Sequence, residues 1–477
     1  MAKRSFPTAG GLLLSLGLLL GGCGGGGGSG GGTTPVATTP PPALPPAANS
    51  QCTLTEAKTE ILDLFEQLYL YNEPTYPGQQ EKYATAAANL AAYPTVDALL
   101  DYLRYESGSY DRGFTYYLTV EEVDQFYRDA EFVGFGFSVA VDSTNAWRLI
   151  DVYTSSAAGA AGWQRGYTIL SVDGVPTAQL DLFDPDTFGD AVAGVTRTFA
   201  VRDNAGTTST VTLSKGIVDI EPVPADRIRT FDLGGRRIGY VFFRTFVQDA
   251  DAQLRSAVAG LVADGVDEVI VDLRYNGGGL VSTAEVLGGL LAGPDRAGAL
   301  FYEYRFNSSV ANQYDEARFF PLEADGFPLL QNLVFITDGR SASASELSIN
   351  GLKPYVPTAT IGERTFGKPV GQWGLQYCND SMVLFLVTFR TLNADGEGDY
   401  YDGLPADCSA PDDWDHLLGD PDEARLKAAL DYLESGGSLC TPPATLGTAS
   451  LRGGAIVDLN RGQERGATLA ARLLNAF

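Results

Sequence analysis

The chain has 477 residues and a formal net charge of −26, which opposes nucleic-acid binding and any basic membrane patch. Its one histidine, His416, excludes histidine-rich zinc sites and is the only residue a Ser-His-Asp triad could use. Lysine is nearly as scarce, seven against twenty-six arginines, so a lysine beside a glycine turn is worth weighing as a base.

The chain opens with Lys3-Arg4, an apolar stretch over Leu12–Leu20, and Leu20-Gly-Gly-Cys23. That order has the form of a bacterial lipoprotein leader, and the apolar run is too short and interrupted for a secure transmembrane helix. The expectation is a signal peptide over 1–22, with Cys23 as the lipidated N-terminus; a plain secretory signal with an incidental cysteine is the alternative. Residues 23–50, rich in Gly and then in Pro, Thr and Ala, cannot build a core and read as a tether with an r.m.s. reach of roughly 30 Å. The implied location is the cell envelope, as a periplasmic lipoprotein touching the membrane through its lipid alone. Gly24 hints at the outer membrane by analogy.

Residues 51–128 are predicted helical, because Ile61, Leu64, Phe65, Leu68 and Tyr69, and then Val96, Leu99, Leu100 and Leu103, recur at helical spacing. Short strands are expected across 129–222. There Phe132-Val-Gly-Phe-Gly-Phe-Ser-Val139 is followed by Trp147–Tyr153, Ala157-Ala-Gly-Ala-Ala-Gly-Trp163 and Ile169-Leu-Ser-Val-Asp-Gly-Val175. This order of glycine loop, strand, small-residue turn and V-D-G resembles a PDZ domain, with Tyr167 in place of the aspartate common in its G-D dipeptide. The resemblance implies that backbone amides of Gly134, Phe135, Gly136 and Phe137 hold a chain-terminal carboxylate while the peptide adds as a strand. An ordinary β-rich domain with glycine turns is the plainer alternative.

Residues 223–440 carry alternating strand and helix signals. Gly239-Tyr-Val-Phe-Phe243 precedes a helical stretch with Leu254, Val258, Leu261 and Val262 on one face. The strand Glu268–Leu273 then ends in Arg274-Tyr-Asn-Gly-Gly-Gly279, a glycine turn at the end where α/β sites tend to lie. The run Asn332–Gly339 reads as a buried strand and turn before Arg340-Ser-Ala-Ser-Ala-Ser-Glu346, which opens a helix. Thr358–Gly362 leads into Glu363-Arg-Thr-Phe-Gly-Lys368 and Gln372. Taken alone, Ser343-Ala-Ser-Glu346 reads more readily as a capping box, and Lys368 could be a solvated turn residue. Ser341 is a poor nucleophile candidate because the last glycine of G-x-S-x-G is missing.

The combination says more. S-A-S-A-S-E, with a lysine 25 residues after Ser343 inside G-E-x-T-x-G-K and a glutamine four residues later, resembles the C-terminal processing (tail-specific) peptidases. The resemblance covers most of residues 115–435. It implies a ClpP/crotonase-like α/β core with a PDZ-like β-rich domain inserted or preceding it. In that reading Ser343 is the nucleophile, Lys368 the general base and Gln372 its orienting partner. Either Gly278 or Gly279 joins the amide of Ala344 in the oxyanion hole, and the choice between the two stays open. Pro369 departs from the family, which usually has glycine there, and restricts Lys368 towards extended conformations. No metal or cofactor is implied. The expected partners are protein or peptide substrates with apolar C-termini, and an oligomer is compatible. A non-catalytic binding protein on the same core is the alternative.

Four cysteines follow the leader: Cys52, Cys378, Cys408 and Cys440. An even count in an exported chain suggests two disulfides in one of three pairings. One guess joins Cys378 to Cys408 across a hairpin region and Cys52 to Cys440. Asp420-Pro-Asp-Glu423 is a helix start. Residues 441–477 read as a tail whose apolar end, Leu473–Phe477, could occupy the PDZ-like groove and restrain an enzyme.

Overall fold

The computed structural model describes residues 52–105 and 110–443, together with the backbone of Ile456–Val457. The leader, Cys23, the tether and Leu473–Phe477 lie outside the described residues.

Six strands form the central sheet in the order Ile228–Leu233, Arg236–Phe242, Glu268–Asp272, Asn332–Thr337, Thr358–Gly362 and Cys408–Ser409. The first pair is antiparallel; every later pair is parallel. Parallel strands need crossovers, and the helices Ala250–Ala263, Val281–Ala292 and Ala344–Leu352 lie along them. Glu268–Asp272 is buried at every position, as a strand covered on both faces requires. The carboxyl ends of three neighbouring strands therefore deliver the turn after Asp272, the turn after Thr337 and the loop after Gly362 to one edge of the sheet.

A five-stranded sheet stands beside it, with Met382–Leu392 pairing Tyr116–Thr119, Leu300–Phe306 and Val370–Tyr377. The region expected to be helical through 128 thus contains a strand. Its aromatic residues fit a pleated surface, and the Tyr116 ring stacks on Phe385, its cross-strand partner, at 4.9 Å. Ahead of it the helices Leu54–Leu68, Gln79–Ala88 and Val96–Leu103 form a layer. Ile61, Phe65, Leu99, Leu100 and Leu103 share a buried cluster with Val370, Tyr377, Leu384, Leu386 and Val387. Burying such side chains is worth roughly 1.5–3 kcal/mol each, which is what fixes the layer to the sheet. Thr53 caps the first helix in a reciprocal box with Glu56.

The third unit is β-rich. Strands Phe137–Val141, Trp147–Val152, Thr168–Val172, Thr196–Arg202 and Thr208–Ser214 build its sheet around Phe137, Trp147, Trp163, Phe188 and Phe199. On the outer edge Ile456 and Val457 pair antiparallel with Ala140 and Val139.

The disulfide guess is corrected. Cys52 bonds Cys378 and Cys408 bonds Cys440, with Cα atoms 5.0 and 5.3 Å apart. Cys378 sits in the tight turn between Val370–Tyr377 and Met382–Leu392, where Cys378, Asn379 and Asp380 all have positive φ. The turn faces the first helix, and the Cys378 amide donates to Glu60 at 2.8 Å. Cys408 lies on the far edge of the central sheet, beside the end of the helix Ala424–Ser435.

Candidate active site

The turn Arg274–Gly279 is held from below. Arg274 is fully buried and bonds Asp272 and both carboxylate oxygens of Glu423, at 2.6 and 2.7 Å. A charge this deep is tolerable only when paired on all sides. Above it, the Asn276 side chain takes the Gly278 N–H at 2.9 Å and donates to the Phe243 carbonyl at 2.9 Å. The Gly278 amide is therefore engaged. The amides of Gly279 and Ala344 have no hydrogen-bond partner among the described residues.

Both glycines are required. At φ +98, a Cβ on Gly278 would lie 2.9 Å from the Ser343 Cβ; at φ +136, one on Gly279 would lie 2.2 Å from the Phe246 carbonyl oxygen. The chain passes too close for any side chain.

Ser343 stands at the N-terminal end of Ala344–Leu352 with φ 55 and ψ −113, a conformation that costs an ordinary residue of order 1–3 kcal/mol. The turn before it is tied down. Asp338 accepts from the amides of Tyr275 and Arg340 at 3.1 Å, and the Ala342 amide donates to Asn276 at 3.1 Å. Ser341 and Ser345 are buried and give their hydroxyls to the carbonyls of Leu273 and Asn276, at 2.8 and 2.9 Å. Of the three serines, Ser343 alone is half exposed.

Glu346 caps the helix and also reaches the segment that carries Lys368. It is fully buried and accepts the Ser343 amide at 3.0 Å, as a capping box does. The same carboxylate accepts the amides of Gly367 and Lys368 at 2.7 Å each, and the Thr365 hydroxyl. One carboxylate thus fixes the backbone of Ser343 to that of Lys368. Burial raises its pKa, against the hydrogen bonds that lower it.

Lys368 is 2% exposed. Burial lowers its pKa to about 7, against the upward pull of the Asp111 and Glu346 carboxylates. Its Nζ donates to Gln372 Oε1 at 2.8 Å and stands 5.3 Å from the Phe114 ring centroid, while Gln372 Nε2 donates to the Phe114 carbonyl at 2.6 Å. A register shift between Gly371 and Gln372 re-aims the glutamine towards the lysine. The sequence reading did not find Phe114 or Asp111, which lie more than 250 residues from the lysine and carry no local motif.

Nor did it find Arg165. This buried arginine of the β-rich unit donates to the Tyr275 hydroxyl at 2.7 Å and to Asp412 at 2.8 Å. Asp412 is held far below the carboxylate range: burial opposes this, but Arg425, Arg165 and Arg274 outweigh it. In the loop Gly134–Phe137, the rings of Phe135 and Phe137 belong to the domain core. The amides of Phe135 and Gly136 have no partner among the described residues. His416 is exposed and pairs with Asp413 at 2.7 Å, and its contacts place it in no triad. Among the described residues no group of three or more His, Cys, Asp or Glu could hold a metal ion.

Comparison with known proteins gives the arrangement its context. Residues 237–408 match Peptidase family S41. A carboxyl-terminal-processing protease of Synechocystis sp. is 30% identical over 268 residues, covering 54% of this chain and 58% of that protein. A carboxyl-terminal-processing protease of Picosynechococcus sp. is 27% identical over 241 residues, covering 50% and 55%. The chain thus spans little more than half the length of these curated relatives. A solved structure of a candidate S41 protease from Bacteroides fragilis superposes with a TM-score of 0.61 at 23% identity, covering 79% of this chain and 97% of that one, a likeness of fold. Residues 237–408, which hold Ser343, Lys368 and Gln372, are thus the segment of this chain that is similar to peptidase family S41.

Proposed function

We propose that this protein is a serine endopeptidase with a Ser–Lys mechanism. The observation that carries it is a buried lysine, its pKa lowered by burial to about 7, tied through Glu346 to a serine in a strained turn. A serine hydroxyl needs such a base. Lys368 Nζ takes the proton from Ser343 Oγ as Oγ bonds the peptide carbonyl carbon. The carbonyl oxygen becomes an oxyanion facing the amides of Gly279 and Ala344 at the positive end of the helix. The lysine returns its proton to the leaving amine as the C–N bond breaks. Water, deprotonated by the same lysine, then splits the ester. Gln372 keeps Nζ aimed by accepting one of its hydrogens.

Substrates are proposed to be proteins or peptides with apolar C-termini. The amides of Phe135 and Gly136 suit a terminal carboxylate, and the edge of Phe137–Val141 suits strand addition, since Ile456–Val457 adds to it in that way. The leader and Cys23 support an envelope protein anchored by lipid.

The test is fluorophosphonate labelling and cleavage of an unfolded protein ending in apolar residues, with wild type, Ser343→Ala and Lys368→Ala. One adduct and turnover, both lost in the two variants, are expected. Turnover retained by Ser343→Ala refutes the mechanism; neither adduct nor cleavage in wild type turns the reading towards a binding protein.

A further inference from the structure

We propose that Arg112, in the N-terminal layer, is a positioning residue that closes the pocket of the lysine. The proposal rests on the reading of Lys368 as the base. Arg112 Nη2 donates to the carbonyls of Phe366, Gly367 and Tyr401, at 3.2, 2.6 and 3.3 Å. Two of these carbonyls belong to the residues just before Lys368. The guanidinium lies 4.7 Å from the Phe366 ring centroid and 5.5 Å from that of Phe114.

Its neighbours serve the same pocket. Asp111 is buried and anchored by the Tyr69 and Thr115 hydroxyls, each at 2.7 Å, and by the Thr115 amide at 3.1 Å. Phe114 walls the amine and orients Gln372 through its carbonyl. The segment 111–114 thus anchors to the helical layer at one end and to the base at the other. The layer itself is bonded through Cys52–Cys378 to the end of the strand that carries Gln372.

The charged groups around Lys368 are the Asp111 and Glu346 carboxylates, which favour the ammonium, and Arg112 itself, whose charge is drawn to Glu346 and Asp402. Desolvation must therefore outweigh two anions, so excluding water is what matters. Without Arg112, three inward carbonyls lack their donor, and water is the available replacement. Water there hydrates the amine and favours its charged form. Lysine at 112 presents a compact ammonium that cannot both lie flat on two rings and bridge three carbonyls.

The experiment is kcat/KM against pH from 5.5 to 10 for wild type, Arg112→Gln and Arg112→Lys, with the folded state checked by thermal melts. Wild type is expected to gain activity through a midpoint near 7. In Arg112→Gln the midpoint should rise by about one pH unit or more, costing about fivefold or more at pH 7. The loss should shrink to within about threefold at pH 9.5, with KM unchanged. Arg112→Lys should move the same way by less, and it carries the test if the glutamine variant does not fold. A loss equal at every pH, or an unmoved midpoint, overturns the proposal. Absence of the limb near 7 in wild type, or turnover by Lys368→Ala, removes the lysine reading instead and this proposal with it.

Discussion

Lys368→Met should change how stability depends on pH, by an amount that follows from the burial of the amine. Its pKa falls from an ordinary 10.5 in the unfolded chain to about 7 in the folded protein. The unfolded state therefore binds more protons between those values, and stability rises with pH across that window. The full effect would approach 5 kcal/mol, and integrating from pH 7 to 9.5 leaves about 3 kcal/mol. Buried tyrosines such as Tyr69, Tyr71 and Tyr240 act oppositely. Burial holds them well above 10, so the unfolded chain loses their protons first and stability falls as pH rises. They are common to both proteins and cancel in the comparison. Methionine fills a similar volume but leaves Gln372 Oε1 without its donor, a cost of about 1–3 kcal/mol that does not vary with pH. Urea melts of wild type and variant at pH 7 and 9.5, disulfides intact, measure the difference directly. Wild type should gain about 3 kcal/mol relative to the variant between the two pH values. A difference constant within about 0.5 kcal/mol would show that the folded lysine titrates like a solvated one, and the reasoning fails.

Other outcomes follow from the same geometry. Glu346→Gln offers an amide group to the amides of Ser343, Gly367 and Lys368, so donors face donors. Turnover should fall at least 100-fold and stability by about 2–4 kcal/mol, read from kcat and urea melts. Gly279→Ala places a methyl carbon 2.2 Å from the Phe246 carbonyl oxygen, so the turn must shift. The expected loss in kcat is of order 10²–10³, with KM little changed. A chain ending at Pro443 lacks Ile456–Val457, which pair with Val139 and Ala140. It should bind an apolar-ended peptide several-fold more tightly in fluorescence anisotropy than the full chain; unchanged affinity would show that the segment does not compete.

Local chemistry made a large part of this protein readable from its residues. Asn332–Thr337 and Thr358–Gly362 are short apolar runs closed by glycine, and both are parallel strands of the central sheet. Ser343 and Lys368 each follow the end of a central-sheet strand by a few residues, and parallel neighbours place those ends together, while Gln372 lies on the next strand, Val370–Tyr377. Glu346 was visible as a cap, a role that depends only on residues three apart, while its second role with Lys368 was not.

What remained needed contacts between segments far apart in the chain. The disulfide partners depended on which surface the Cys378 turn faces, and cysteine count says nothing of that. The free amide of Gly279 was decided by Asn276 folding back on Gly278, since both glycines have the same local licence for positive φ. Phe135 and Phe137 went to the core because their domain is small and needs its aromatic rings inside. The residues that desolvate Lys368 come from a layer more than 250 positions away, and Arg165 reaches the glycine turn from another domain. Sequence patterning determined the elements and the candidate site residues near their ends. The tertiary structure alone decided which polar groups find partners and which stay free to react, because burial and hydrogen-bond satisfaction belong to the whole packed chain.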